Sequence, residues 1–121
     1  MARVLAVDDS RTMRQLVSFA LSDVGHEVHE AENYDAAVAL ATLHQFDIVI
    51  SDLNMPGKNG IELVKALRAM PRTRFVPILL LTTESQTKLR DEAKLAGATG
   101  WLVKPFQPEQ LVAVIGRVLR V

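Results

Sequence analysis

Residues 4–25 read VLAVDDSRTMRQLVSFALSDVG. Val4 to Val7 form an apolar run too short for a helix, cut off by Asp8 and Asp9. A short run that is apolar at every residue is the pattern of a strand buried on both faces. Behind it, Met13, Leu16, Val17, Ala20, Leu21 and Val24 recur at i, i+3, i+4 spacing, the single buried stripe of a helix. Ser10 opens that helix as its cap and Gly25 closes it. A buried strand running straight into an amphipathic helix is half of a strand–crossover–strand unit, and such units build parallel sheets.

The same unit recurs to the end of the chain. Strands are expected at Ile48–Ile50, Val76–Leu81 and Trp101–Val103, and a polar-alternating one at Glu27–Ala31. Helices are expected over Tyr34–His44 after the cap Asn33, over Gly60–Met70 before Pro71, over Gln86–Ala96 before Gly97, and from Pro108 towards Leu119. Five strand–helix units predict an α/β fold: an open, doubly wound parallel sheet with helices on both faces, too few to close a barrel. At 121 residues, with no linker rich in Gly, Pro or Ser, residues 1–121 read as a single domain.

Composition narrows the function. Fourteen basic residues balance fourteen acidic ones, which argues against non-specific nucleic-acid binding, and 49% hydrophobic residues argue against disorder. The absence of cysteine removes thiolate catalysis and disulfides and fits a cytoplasmic setting. No apolar run approaches the ~20 residues needed to span or insert into a membrane.

Ligands of open parallel sheets sit beyond the carboxyl ends of the strands. There the sequence places Asp8 and Asp9 after the first strand, Asp52 after the third, Thr82 and Thr83 after the fourth, and Lys104 with Pro105 after the fifth. Each has a simpler role open to it: Asp8 and Asp9 as helix caps, Asp52 as a turn residue, Thr82 as a strand residue, Lys104 as a solvated charge. Their coincidence at one sheet edge is what points to a site. Unit charges ~4 Å apart repel by ~4 kcal/mol at an effective dielectric of about 20, so three carboxylates in one cleft call for protonation or a cation. Oxygen-only ligands suit Mg²⁺, which commonly recruits phosphate.

The residues Val7-Asp8-Asp9-Ser10-Arg11-Thr12-Met13-Arg14, Ser51-Asp52-Leu53-Asn54-Met55-Pro56-Gly57-Lys58-Asn59-Gly60, Leu81-Thr82-Thr83-Glu84, Ala96-Gly97-Ala98 and Val103-Lys104-Pro105-Phe106 resemble the receiver domains of two-component response regulators, most of all the stand-alone CheY type of chemotaxis regulator. The resemblance covers essentially the whole chain and implies a flavodoxin-like strand order of 2-1-3-4-5, the order CheY itself exemplifies. It implies that Asp52 accepts a phosphoryl group from a histidine kinase, and that Mg²⁺ is bound by Asp9 and Asp52, by the backbone carbonyl of Asn54, and by Asp8 directly or through water. Lys104 would pair with a phosphoryl oxygen, and the Lys104–Pro105 bond would be cis. Thr82 matches the switch hydroxyl, and Asn54 and Glu84 the positions that tune the lifetime of the phosphate.

The family's aromatic switch position is occupied here by Trp101 in place of Tyr or Phe, and an indole is larger and carries an N–H. The resemblance puts the output surface on the fourth helix, fifth strand and fifth helix, with Lys88, Trp101 and Lys104. In the last helix Leu111, Ile115, Val118 and Leu119 form a core stripe, while Val112 and Val114 lie off it and suggest either a docking face or a deeply tucked helix. Gly116 inside that helix is tolerable if something packs closely there. Phe19 sits off the stripe of the first helix, where a kinase or phosphatase could meet it. His26, His29 and His44 read as ordinary surface residues.

The leading expectation is therefore a signalling switch, not an enzyme, acting only on its own phosphate, monomeric when unphosphorylated and engaging the flagellar motor switch. A phosphate sink or single-domain relay shares the chemistry and lacks that partner. A small phosphatase or flavin-binding protein fits less well. Asn54, two residues after Asp52, cannot shuttle protons, and Asp8 and Asp9 would repel a phosphate where such proteins use a glycine-rich loop.

Overall fold

Strand β1, Arg3–Val7, lies inside a five-stranded parallel sheet of order β2-β1-β3-β4-β5, with β2 at Glu27–Ala31, β3 at Ile48–Asp52, β4 at Ile78–Thr82 and β5 at Gly100–Val103. The computed structural model describes residues 2–83 and 87–119. Helices α1 (Arg11–Ser22), α2 (Tyr34–Leu43), α3 (Gly60–Ala69), α4 (Thr87–Ala96) and α5 (Pro108–Leu119) connect and follow the strands. The open, doubly wound sheet is the one expected from the strand–helix pattern, and its order is the one the family resemblance implies.

Period-two alternation divides each central strand between two cores. Leu5, Val7, Val49, Ile78 and Leu80 face one layer, with Ala37, Ala41, Leu63, Val64, Leu67 and Ala93. Val4, Ala6, Ile48, Ile50, Leu79 and Leu81 face the other, with Val17, Leu21, Leu111 and Ile115. Helix starts follow their caps: the side-chain oxygens of Ser10, Asn33 and Asn59 accept from the amides of Met13, Ala36 and Glu62. Glu62 returns the bond to the Asn59 amide at 3.1 Å and completes a capping box.

Several expectations shift. Asp52 and Thr82 are the last residues of their strands rather than the first beyond them, because pairing continues through Asp52↔Leu81 and Thr82↔Val103. Strand β4 starts at Ile78; Pro77 has no N–H for a ladder, although its carbonyl accepts from Val49. Helix α1 stops at Ser22, so Val24, expected on the buried stripe, is 51% exposed in the turn that Gly25 completes at φ +95°. Helices α2 and α3 end one residue early, at Leu43 and Ala69, where His44 and Met70 turn extended; Met70 precedes a proline. Gln86, the expected start of α4, lies outside the described residues.

Strand β5 is a half-buried edge strand, not one covered on both faces, and among the described residues no strand pairs beyond it. Val112 and Val114 pack partly buried against the core, so they do not form a free docking face. Nothing lies within 4 Å of a Cβ added at Gly116, so close packing does not explain that glycine. The histidines are not simply solvated either. The His26 Nδ1 accepts from the Ala2 amide, and the His29 and His44 rings stand 4.9 Å apart, each edge-on to Phe46.

Candidate functional site

The β1–α1 loop is held from several sides. The Asp8 amide donates to Ala31 of β2, its Oδ1 accepts from the Ser10 amide at 2.9 Å, and its carbonyl accepts from Arg14 at 2.7 Å. The loop thereby sets Asp8 inward, buried, and Asp9 outward, exposed. On the strand paired directly with β1, Asp52 ends β3 nearly buried, its Oδ1 accepting from the Lys104 ammonium at 3.0 Å and, more distantly, from the Asn54 amide at 3.4 Å. Lys104 follows β5, anchored by its own amide to the Thr82 carbonyl at 2.6 Å and followed by a cis peptide to Pro105. Its ammonium is 3.8 Å from Asp8 Oδ2 and so reaches two of the three acids.

Carboxylate oxygens of Asp8, Asp9 and Asp52 all come within 4.8 Å of one another. Asp8 Oδ2 is buried and has no hydrogen-bond partner among the described residues. An orphaned anionic oxygen costs free energy unless a cation or proton meets it, and an oxygen-only donor set next to a single ammonium fits a hard divalent ion such as Mg²⁺. Thr82 carries a second orphan: its hydroxyl is buried with no partner among the described residues.

Burial, first of all, pushes the Asp8 carboxyl above the ordinary carboxylate range, the Asp52 and Asp9 charges push the same way, and the Ser10 amide and Lys104 oppose them. The folded state therefore keeps this proton to higher pH than the unfolded chain. Stability falls as pH rises from the ordinary range through the raised native value and stays lower above it. Asp8→Asn removes that loss. In chelator at neutral pH the variant is expected to melt above wild type. The gap should shrink towards acid pH and in Mg²⁺, as differential scanning calorimetry can check.

Lys88 is exposed on α4, and Trp101 is 37% exposed on β5 with the Arg90 guanidinium 5.6 Å from its ring. Glu84 lies outside the described residues. Two residues that shape the site had no role assigned from sequence. Gly60 lets the start of α3 approach the backbone of Asp52, and Arg14 clamps the Asp8 carbonyl. Both stand inside the quoted motifs, where spacing gives no sign of what they touch.

A family model described as the response regulator receiver domain matches residues 4–116. The chain belongs to that family. It is 39% identical over 118 residues to the chemotaxis protein CheY of Pseudomonas aeruginosa, covering 96% of this chain and 94% of the relative. It is 36% identical to the phosphate regulon transcriptional regulatory protein PhoB of Escherichia coli, of whose length it spans about half, 52%. Among solved structures, the chemotaxis response regulator CheY4 of Vibrio cholerae superposes with a TM-score of 0.93 at 52% identity over 98% of each chain. A receiver domain is the signalling module of a two-component system and implies a histidine kinase as phosphodonor. Receiver domains bind Mg²⁺ at an acidic pocket, and this receiver's Asp8, Asp9 and Asp52 group could hold such an ion. Among the described residues no helix is long and apolar enough to cross a membrane.

Proposed function

We propose that residues 1–121 act as one receiver unit in which Asp52 accepts a phosphoryl group from a phosphohistidine of a sensor kinase. The carrying observation is the nearly buried Asp52 carboxylate, bonded to Lys104 at 3.0 Å beside the acids of β1. A carboxylate oxygen of Asp52 attacks phosphorus, the P–N bond breaks, and the kinase imidazole leaves with the electron pair. The product is an acyl phosphate. Little covalent assistance is needed, so the work is positioning and charge stabilisation. Asp9, Asp52, the Asn54 carbonyl and Asp8, directly or through water, would hold Mg²⁺, which would neutralise phosphoryl oxygens. Lys104 gives up its bond to Asp52 and donates to a phosphoryl oxygen, and Asn54, with Glu84, tunes how quickly water removes the group.

The new oxygens supply an acceptor for the Thr82 hydroxyl, which has no partner among the described residues. Its movement is transmitted to β5 and α4, where Trp101 and Lys88 form the output face. Similarity over nearly full length to P. aeruginosa CheY and V. cholerae CheY4 supports a chemotaxis role with the flagellar motor switch as the partner. Mass spectrometry after incubation with acetyl phosphate is the test. The expected result is a gain of one phosphoryl mass on the Asp52 peptide in Mg²⁺ and none in chelator. Labelling elsewhere, or equal labelling in chelator, would sink the assignment.

A further inference from the structure

We propose that Arg14 is a positioning residue for the acid pocket: it fixes the Asp8–Asp9 peptide and thereby sets the affinity of the pocket for a divalent cation. This rests on the metal-assisted reading above. Arg14 lies in the first turn of α1, with its side chain only 15% exposed. One guanidinium nitrogen, Nη1, donates to the Asp8 carbonyl at 2.7 Å, while Nε stands 3.4 Å from Glu30 on β2. Glu30 is itself steadied by the Ser18 hydroxyl, one turn along α1, at 2.9 Å. The fork thus joins three elements: the strand-end loop, the helix that follows it and the neighbouring edge strand.

The bond it makes is to the carbonyl of the peptide that carries Asp9. A peptide is planar, so holding that oxygen holds the Asp9 amide and narrows the directions open to the Asp9 side chain. Asp8 has other restraints, its amide on Ala31 and its carboxylate on Ser10. Asp9 is exposed, and the Arg14 clamp is what orders its peptide from the α1 side. Partners that orient metal-binding carboxylates without touching the ion typically change affinity by about 10–100-fold when removed.

Charge and position act with opposite signs here, which makes the idea testable. Removing a cation from beside a cation site should tighten Mg²⁺ binding by Coulomb's law alone, whereas loss of positioning should weaken it. Mg²⁺ titration by isothermal calorimetry, with no phosphodonor present, reads the difference in folded full-length wild type, Arg14→Met and Arg14→Lys. Arg14→Met is expected to bind about tenfold more weakly. Its acetyl phosphate labelling rate should recover towards wild type at saturating Mg²⁺, so the loss falls on metal binding and not on transfer. Arg14→Lys keeps the charge but not the fork and is expected to lie between the two.

Met-variant affinity equal to or tighter than wild type would overturn the proposal. If circular dichroism shows that variant unfolded, unchanged affinity in Arg14→Lys overturns it instead. A wild-type protein that binds no Mg²⁺ would defeat the metal reading itself, an outcome distinct from either.

Discussion

Asp52→Asn is expected to take labelling by acetyl phosphate or kinase down to background while leaving the chain folded. The amide occupies the same volume and still offers an oxygen to the Lys104 ammonium, now 3.0 Å from Oδ1. What it lacks is an anionic oxygen able to form the P–O bond at the end of β3. Lys104 is a cation, Thr82 and Asp8 are buried, and the exposed Asp9 belongs to the β1–α1 loop. Removing one of three clustered negative charges relieves repulsion, so thermal stability in chelator should hold or rise. Intact-mass spectrometry with and without donor, beside circular dichroism, checks both halves. Phosphate retained at the wild-type level in this variant would displace Asp52 from the mechanism.

The second large effect is expected at Gly60→Ala. Gly60 opens α3, and its amide donates to the Leu53 carbonyl at 2.9 Å. A Cβ there would stand 2.6 Å from the Asp52 carbonyl oxygen and 3.0 Å from Leu53 Cα. Both obstacles are backbone, so neither can swing aside; either α3 moves outward or the end of β3 is displaced. Overpacking of this kind costs about 1–3 kcal/mol. Because the atom struck belongs to the peptide of Asp52, the proposed phospho-acceptor, the labelling rate should fall together with stability. Urea denaturation reads the first effect and a labelling time course the second. Gly116→Ala serves as control: that site is open, so replacing a helical glycine should stabilise by about 0.5–1 kcal/mol with labelling unchanged. Wild-type stability and rate in Gly60→Ala would mean that α3 does not press on β3.

Much of the architecture was legible because it rests on local periodicity. The β1 run and the α1 stripe announce themselves, and Ser10 and Asn33 cap the helices that their positions suggest. What misled was the behaviour of segments whose surroundings are set elsewhere. Trp101-Leu102-Val103 is as apolar as a central strand, yet it lies at the sheet edge and is half-buried. Val112 and Val114 look surplus along α5 until the sheet and α1 draw them partly into the core. His29 and His44 carry no sequence signal of their mutual contact, because β2 and the end of α2 meet only in the fold.

The residue chemistry at the strand ends was likewise written in the chain: acids after β1 and at the end of β3, a hydroxyl at the end of β4, an ammonium after β5. Parallel crossovers bring all strand ends to one edge, so sequence alone determines that these groups share it. Only the tertiary structure decides their states. Burial depth pushes the Asp8 proton up, places Lys104 on Asp52 and leaves the Thr82 hydroxyl without a partner among the described residues. It also sets the Arg14 clamp and the close approach at Gly60. Residue order specifies which groups meet, whereas desolvation and distance, which depend on every layer packed around them, specify how they interact.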